Sequence, residues 1–158
     1  MPDTKKILKA LRDELTLQTR HRKLLEAQEQ ALLTCNRTRF ATLQEEYVEL
    51  LLLLEAQDTA RKSVLIDDKG EPLTLSMLKE FLPPNRLRDL EEGLRRTLEQ
   101  VQTLTCRNQI LIQNELKYLA FTLDLFVEAG RNADTGYGPQ SRDRSGWQTG
   151  RLLLDRRA

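Results

Sequence analysis

Residues 87–127 read LRDLEEGLRRTLEQVQTLTCRNQILIQNELKYLAFTLDLFV. Apolar side chains recur in steps of three and four: Leu87, Leu90, Leu94, Leu98, Val101 and Leu104. After Asn108 the row resumes at Ile112, Leu116, Leu119, Leu123 and Phe126. That period marks one face of one helix. No proline interrupts the stretch, and Gly93 is its only glycine. From Asn85 to Ala129 such a helix is roughly 65 Å long at 1.5 Å per residue. It cannot bury its stripe against itself, so the fold must supply other helices alongside.

Two upstream segments have the right pattern. Asp3 or Thr4 can cap a first helix over about 4–34, with Leu8, Leu11 and Leu15 and then Leu24, Leu25, Leu32 and Leu33 as its apolar row. Its middle, Gln18 to Lys23, reads as polar all round. Asn36 and Thr38 are capping residues, and a second helix is expected over 37–66 with a coiled-coil seam of Phe40, Leu43, Tyr47, Leu50 and Leu54, the alternative being a single helix that runs through from the first. Leu51, Leu52 and Leu53 widen its apolar surface, which implies more than one neighbour. Asp67 to Pro72 ends it with turn residues. Thr74 can cap a short helix over 75–82, Pro83-Pro84 stops that helix, and Asn85 reads as the N-cap of the long helix, 86–129. Short connections make sequential helices antiparallel neighbours. The expected fold is therefore all-α: an elongated antiparallel three-helix bundle or coiled coil over 1–130, with a short extra helix. After Gly130 the residues turn to Gly, Ser, Pro and Arg, so 131–158 is expected to be a flexible tail, with Leu152-Leu153-Leu154 as an apolar segment suited to docking.

Composition narrows the functional classes. The 158 residues are 39 % hydrophobic, 31 % charged and only 5 % aromatic, which favours narrow helix seams over a large core. A net charge of +1 argues against general nucleic-acid binding, although residues 131–158 hold six arginines against three aspartates. The longest apolar run, Leu50–Leu54, is far too short to enter a bilayer as a spanning segment. The start, Met1-Pro2-Asp3-Thr4-Lys5-Lys6, lacks a secretory pattern, so a cytoplasmic location is expected. Cys35 and Cys106 read as free thiols of a reducing compartment.

Catalytic chemistry finds little footing. His21 is the sole histidine; it reads as a solvated surface residue, since a phosphotransfer role would want supporting residues that His21-Arg22-Lys23-Leu24 lacks. Two cysteines and one histidine at these spacings do not make a zinc site. Glu45-Glu46 and Glu91-Glu92 are ordinary solvated helix faces. No enzyme activity, cofactor or metal is expected. What stands out is the apolar breadth of the long helix. Beside the row Ile112, Leu116, Leu119, Leu123 and Phe126, taken as core, run Leu111, Tyr118 and Leu125, with Ile110 and Phe121 further round. Such a face is buried between the two other helices, or closes a homodimer that makes the chain a self-associating scaffold or adaptor, or captures a partner helix.

Four segments, in their order and spacing, resemble the FlgN family: Glu55-Ala56-Gln57-Asp58-Thr59-Ala60-Arg61, Arg107-Asn108-Gln109-Ile110-Leu111-Ile112, Tyr137-Gly138-Pro139-Gln140 and Leu154-Asp155-Arg156-Arg157-Ala158. The resemblance implies a cytoplasmic chaperone of bacterial flagellar type III export. It implies binding of the C-terminal helical region of hook-associated proteins, protection from premature assembly, and delivery to the export-gate protein. On this chain the implied substrate contacts are Asn108, Leu111, Tyr118, Phe121, Leu125, Leu152, Leu153 and Leu154, and the implied gate contacts are Tyr137 and Gly138. Where the family commonly has a glycine shortly afterwards, this chain has Ser141. The expected assembly is a monomer or weak homodimer that forms a heterodimer with substrate, without nucleic acid and without membrane insertion.

Overall fold

The computed structural model of the chain describes residues 3–66 and 70–134. Four helices follow one another: α1 Thr4–Leu33, α2 Arg37–Val64, α3 Leu75–Phe81 and α4 Pro84–Asp134. They pack on each other as an all-α bundle, and the described residues contain no strand beyond an isolated bridge between Ile66 and Pro72. The turn residues 67–69 and the tail after Asp134 lie outside the described residues.

Each helix start is satisfied locally. Asp3 Oδ1 accepts from the Lys5 and Lys6 amides at 3.1 and 3.3 Å. Asn36 Oδ1 accepts from the Arg39 amide at 3.0 Å, and the Thr74 hydroxyl accepts from the Met77 amide at 3.4 Å. α4 departs from expectation: Asn85 is not its cap. The helix begins two residues before the expected Arg86, at Pro84, and the Pro83 carbonyl accepts from the Leu87 amide at 3.1 Å. Proline has no N–H to leave orphaned in a first turn and its φ is already helical, so it opens the helix at no cost.

The α1–α2 connection is a three-residue Schellman turn. The Asn36 amide donates to the Ala31 carbonyl at 2.8 Å and the Cys35 amide to the Leu32 carbonyl at 3.1 Å. Between them Cys35 takes φ 53°, a left-handed conformation normally given to glycine. Asn36 then caps α2, so one short segment ends one helix and starts the next in the opposite direction.

Three apolar clusters hold the bundle. Leu24 and Ala31 of α1 meet Leu43 and Leu50 of α2, with Phe40, Tyr47 and Leu54 packed against them. The pairing is antiparallel: Gln28 Nε2 donates to the Leu43 carbonyl, and Gln57 Nε2 to the Ala10 carbonyl at 3.1 Å. α4 runs parallel to α1, with Leu25 against Val101 and Leu104. A Cβ on Gly93 would stand 3.3 Å from Leu15 Cδ2, so the glycine admits this close approach. The third cluster joins Ile7, Leu8 and Leu11 to Leu78 and Leu82 of the α3 region and to Leu87 and Leu90. The short helix therefore closes one end of the bundle.

Two expectations are corrected. His21 is buried, not solvated: its ring centroid lies 5.5 Å from that of Tyr47. Three and four residues before Leu24 and Leu25, it shares their helix face, and its polar neighbours in sequence hide that placement. Leu51, Leu52 and Leu53 gain no second neighbour and are exposed. The described chain also divides into two units at the Lys117–Tyr118 bond.

Cys35→Gly relieves the left-handed strain and should raise unfolding stability by about 0.5–1 kcal/mol in urea titration. A second prediction concerns His21. Burial strips water from the imidazole and lowers its pKa from 6.5. The unfolded chain then binds the proton more readily, so stability is full above about pH 6.5 and falls as the pH drops toward the lowered native value. The urea midpoint should decline on going from about pH 7 to about pH 5, and His21→Leu should flatten that decline.

Candidate partner-binding surface

α4 carries five of the expected substrate contacts, Asn108 and Leu111 in the first unit and Tyr118, Phe121 and Leu125 in the second. In the first unit Asn108 is buried in the α1–α4 seam, its Nδ2 donating to the Leu25 carbonyl at 3.0 Å while Oδ1 has no protein partner. It acts there on bundle register. Leu111 and Ile112 are half-buried, and Ile110 and Leu116 are exposed. Glu115 is tied to the α1–α2 turn, 3.7 Å from Arg37 and 3.9 Å from Cys35 Sγ.

In the second unit the helix bares its apolar side chains. Tyr118, Phe121, Leu123, Leu125, Phe126 and Val127 are all exposed, Phe126 at 72 %. Leu116, Leu123 and Phe126, expected as core, are thus on the surface. The helical period identifies which residues share a face; it does not reveal how far neighbouring helices cover it. α4 has 51 residues, whereas α1 has 30 and α2 has 28. That difference in length, readable from the sequence, was the signal for moving Leu123 and Phe126 from core to surface. At 100° per residue the apolar side chains from Tyr118 to Val127 span more than half of the helix circumference, leaving Asp124 and Glu128 on a narrow polar strip. Burying each of these side chains contributes roughly 1.5–3 kcal/mol before association costs. The chemistry on offer is capture of another apolar helix face.

Elsewhere the described residues offer no reactive arrangement. The His21 nitrogens are buried without hydrogen-bond partners. An open groove of about 380 Å³ between α1 and α4 is lined by Glu26, Glu99, Gln100, Thr103, Leu104 and Arg107, with no histidine or cysteine among them. Among the described residues no three His, Cys, Asp or Glu side chains converge as metal ligands, and no helix is long and apolar enough to cross a membrane. Cys35 and Cys106 are free and exposed.

The family model described as FlgN protein matches residues 1–145. The chain belongs to the FlgN family. FlgN proteins are a family of flagellar export chaperones, not of enzymes. No curated protein and no solved structure matches the chain. The match takes in all four helices and reaches Tyr137 and Gly138, while Leu152, Leu153 and Leu154 follow it. Those five expected contacts lie outside the described residues.

Proposed function

We propose that this FlgN-family chain binds the C-terminal helical region of hook-associated proteins on the apolar face of α4 and delivers them to the flagellar export gate. The observation that supports this reading is the exposure of Tyr118, Phe121, Leu123, Leu125, Phe126 and Val127 along a single helical segment. A filament-joining subunit presents an amphipathic terminal helix that would otherwise drive assembly. Occupying that helix is itself the chaperone activity, and it needs no nucleotide. Leu111, Tyr118, Phe121 and Leu125 are the proposed substrate contacts, with Leu152, Leu153 and Leu154 closing on the same substrate from the tail. Asn108 supports them indirectly by fixing α4 on Leu25. Tyr137 and Gly138 are the proposed gate contact, so that cargo and gate are held by different residues. The reading takes residues 1–130 as the bundle and 131–158 as a tail of partner-binding segments, and places the chain in the cytoplasm.

Size-exclusion chromatography with light scattering tests this. The chain alone should elute as a monomer or weak dimer and shift to a heterodimer with a hook-associated protein. Leu125→Asp should weaken that heterodimer at least about tenfold, the loss of one buried leucine contact, while circular dichroism stays unchanged. A stable homodimer indifferent to the hook-associated protein would instead establish a self-associating scaffold. Tyr137→Ala should spare the heterodimer and weaken pull-down by the export-gate protein; equal loss of both would show that the roles are not separate.

A further inference from the structure

α2 carries a second apolar face that its helical neighbours leave bare. Val48 and Leu52 are 53 % and 64 % exposed, and Leu51 beside them is exposed as well. The seam residues Leu43, Tyr47, Leu50 and Leu54 define the side of α2 that meets the rest of the bundle. At 100° per residue Leu52 lies roughly opposite that seam, and Val48, Leu51 and Leu52 form a continuous strip. A strip of large aliphatic side chains in water is a recognition feature more often than an accident.

Its surroundings state the chemistry of what covers it. Glu45, Glu46, Glu49 and Glu55 are exposed around the strip. From Phe40 to Ala60 the chain has four glutamates and Asp58, and no lysine or arginine. Of the cations at either end, Arg61 and Lys62 close on Asp58 and Arg37 reaches Glu115, which leaves Arg39 against the four glutamates. The strip therefore sits in a field of net negative charge.

We propose that this face docks a basic amphipathic helix of a second protein. Its aliphatic row lies on Val48, Leu51 and Leu52, and its flanking lysines or arginines meet Glu45, Glu49 and Glu55. Charge selects this occupant over others. Two copies of α2 paired antiparallel about Val48 and Leu52 would set Glu45 of one opposite Glu55 of the other, and parallel pairing would set each glutamate beside its own counterpart. Both arrangements repel. Nucleic acid and anionic lipid are repelled in the same way. The strip shares no residue with the substrate face proposed for α4, so a carrier could hold cargo by one helix and a second protein by another.

The test uses the full chain and two fluorescent helical peptides of about 18 residues, or five turns, with the same leucine row. One has lysine flanks and the other glutamate flanks. In fluorescence anisotropy the Leu/Lys peptide should bind, with affinity falling as salt rises, and the Leu/Glu peptide should not. The double substitution Val48→Glu and Leu52→Glu should weaken binding at least about tenfold. Glu45→Lys, Glu49→Lys and Glu55→Lys together should do the same by a route that leaves the apolar strip intact. Phe121→Asp with Leu125→Asp should change binding less than about twofold, which separates this face from the cargo face. Equal binding of both peptides would overturn the proposal, as would loss through the Phe121 and Leu125 substitutions alone. So would binding seen only after Leu152→Asp, Leu153→Asp and Leu154→Asp, because the chain's own arginine-flanked leucines would then be the occupant.

Discussion

Leu25, Val101 and Leu104, with Tyr47 packed against them, hold α4 to the α1–α2 hairpin, and the use of the molecule depends on that contact. The hairpin has its own seam in Leu24, Ala31, Leu43 and Leu50. Two helices with one narrow seam bury little apolar surface against the entropy of ordering 60 residues or so. Tyr47 belongs to both seams, which couples the docking of α4 to the closing of the hairpin. Gly93 allows the approach further along, beside Leu15, and the α3 cluster closes the far end. Once α4 is held over this length, its remaining apolar residues are displayed on a preformed helix. A partner then binds without paying for helix nucleation in the receptor.

The seams are not purely apolar, and their polar members do related work. Gln28 donates to the Leu43 carbonyl and to Gln44, and Asn108 donates to the Leu25 carbonyl. A leucine-rich seam tolerates sliding by a turn, because leucine packs almost as well against the next leucine. A buried amide that finds its acceptor in one register only makes the slipped registers costly. His21 is different. Both of its nitrogens lack partners, so it resists protonation without specifying register.

The sequence made much of this legible. The four helices, the Asp3, Asn36 and Thr74 caps and the seam from Phe40 to Leu54 follow from residue types and period, because these depend on local chemistry. Asn85 misled because two adjacent signals, a capping asparagine and a first-turn proline, competed and the proline prevailed. His21 misled because a polar run conceals a single inward position. For the candidate site, Phe121, Tyr118 and Leu125 were legible as surface, whereas Leu116, Leu123 and Phe126 were read as core. Periodicity reports a direction around the helix axis, but coverage depends on where neighbouring helices end, and that is set by tertiary structure.

Exposed aliphatic surface carries a standing risk of aggregation, and a chain with 31 % charged residues can dilute it in two ways. On α2 the dilution is local, since Glu45, Glu49 and Glu55 stand directly around Val48 and Leu52 and make self-pairing repulsive while leaving a basic helix welcome. On α4 the polar strip is narrow, and no comparable rim surrounds Phe121 to Val127. An apolar face with a charged rim selects its partner by sign, whereas one with little rim accepts any helix that offers enough apolar area. The second kind suits a carrier whose cargo presents an assembly-prone apolar helix; the first suits an encounter that must distinguish one partner from many. The two helices thus differ in the kind of specificity their surfaces can express, and that difference follows from where the glutamates fall in the sequence.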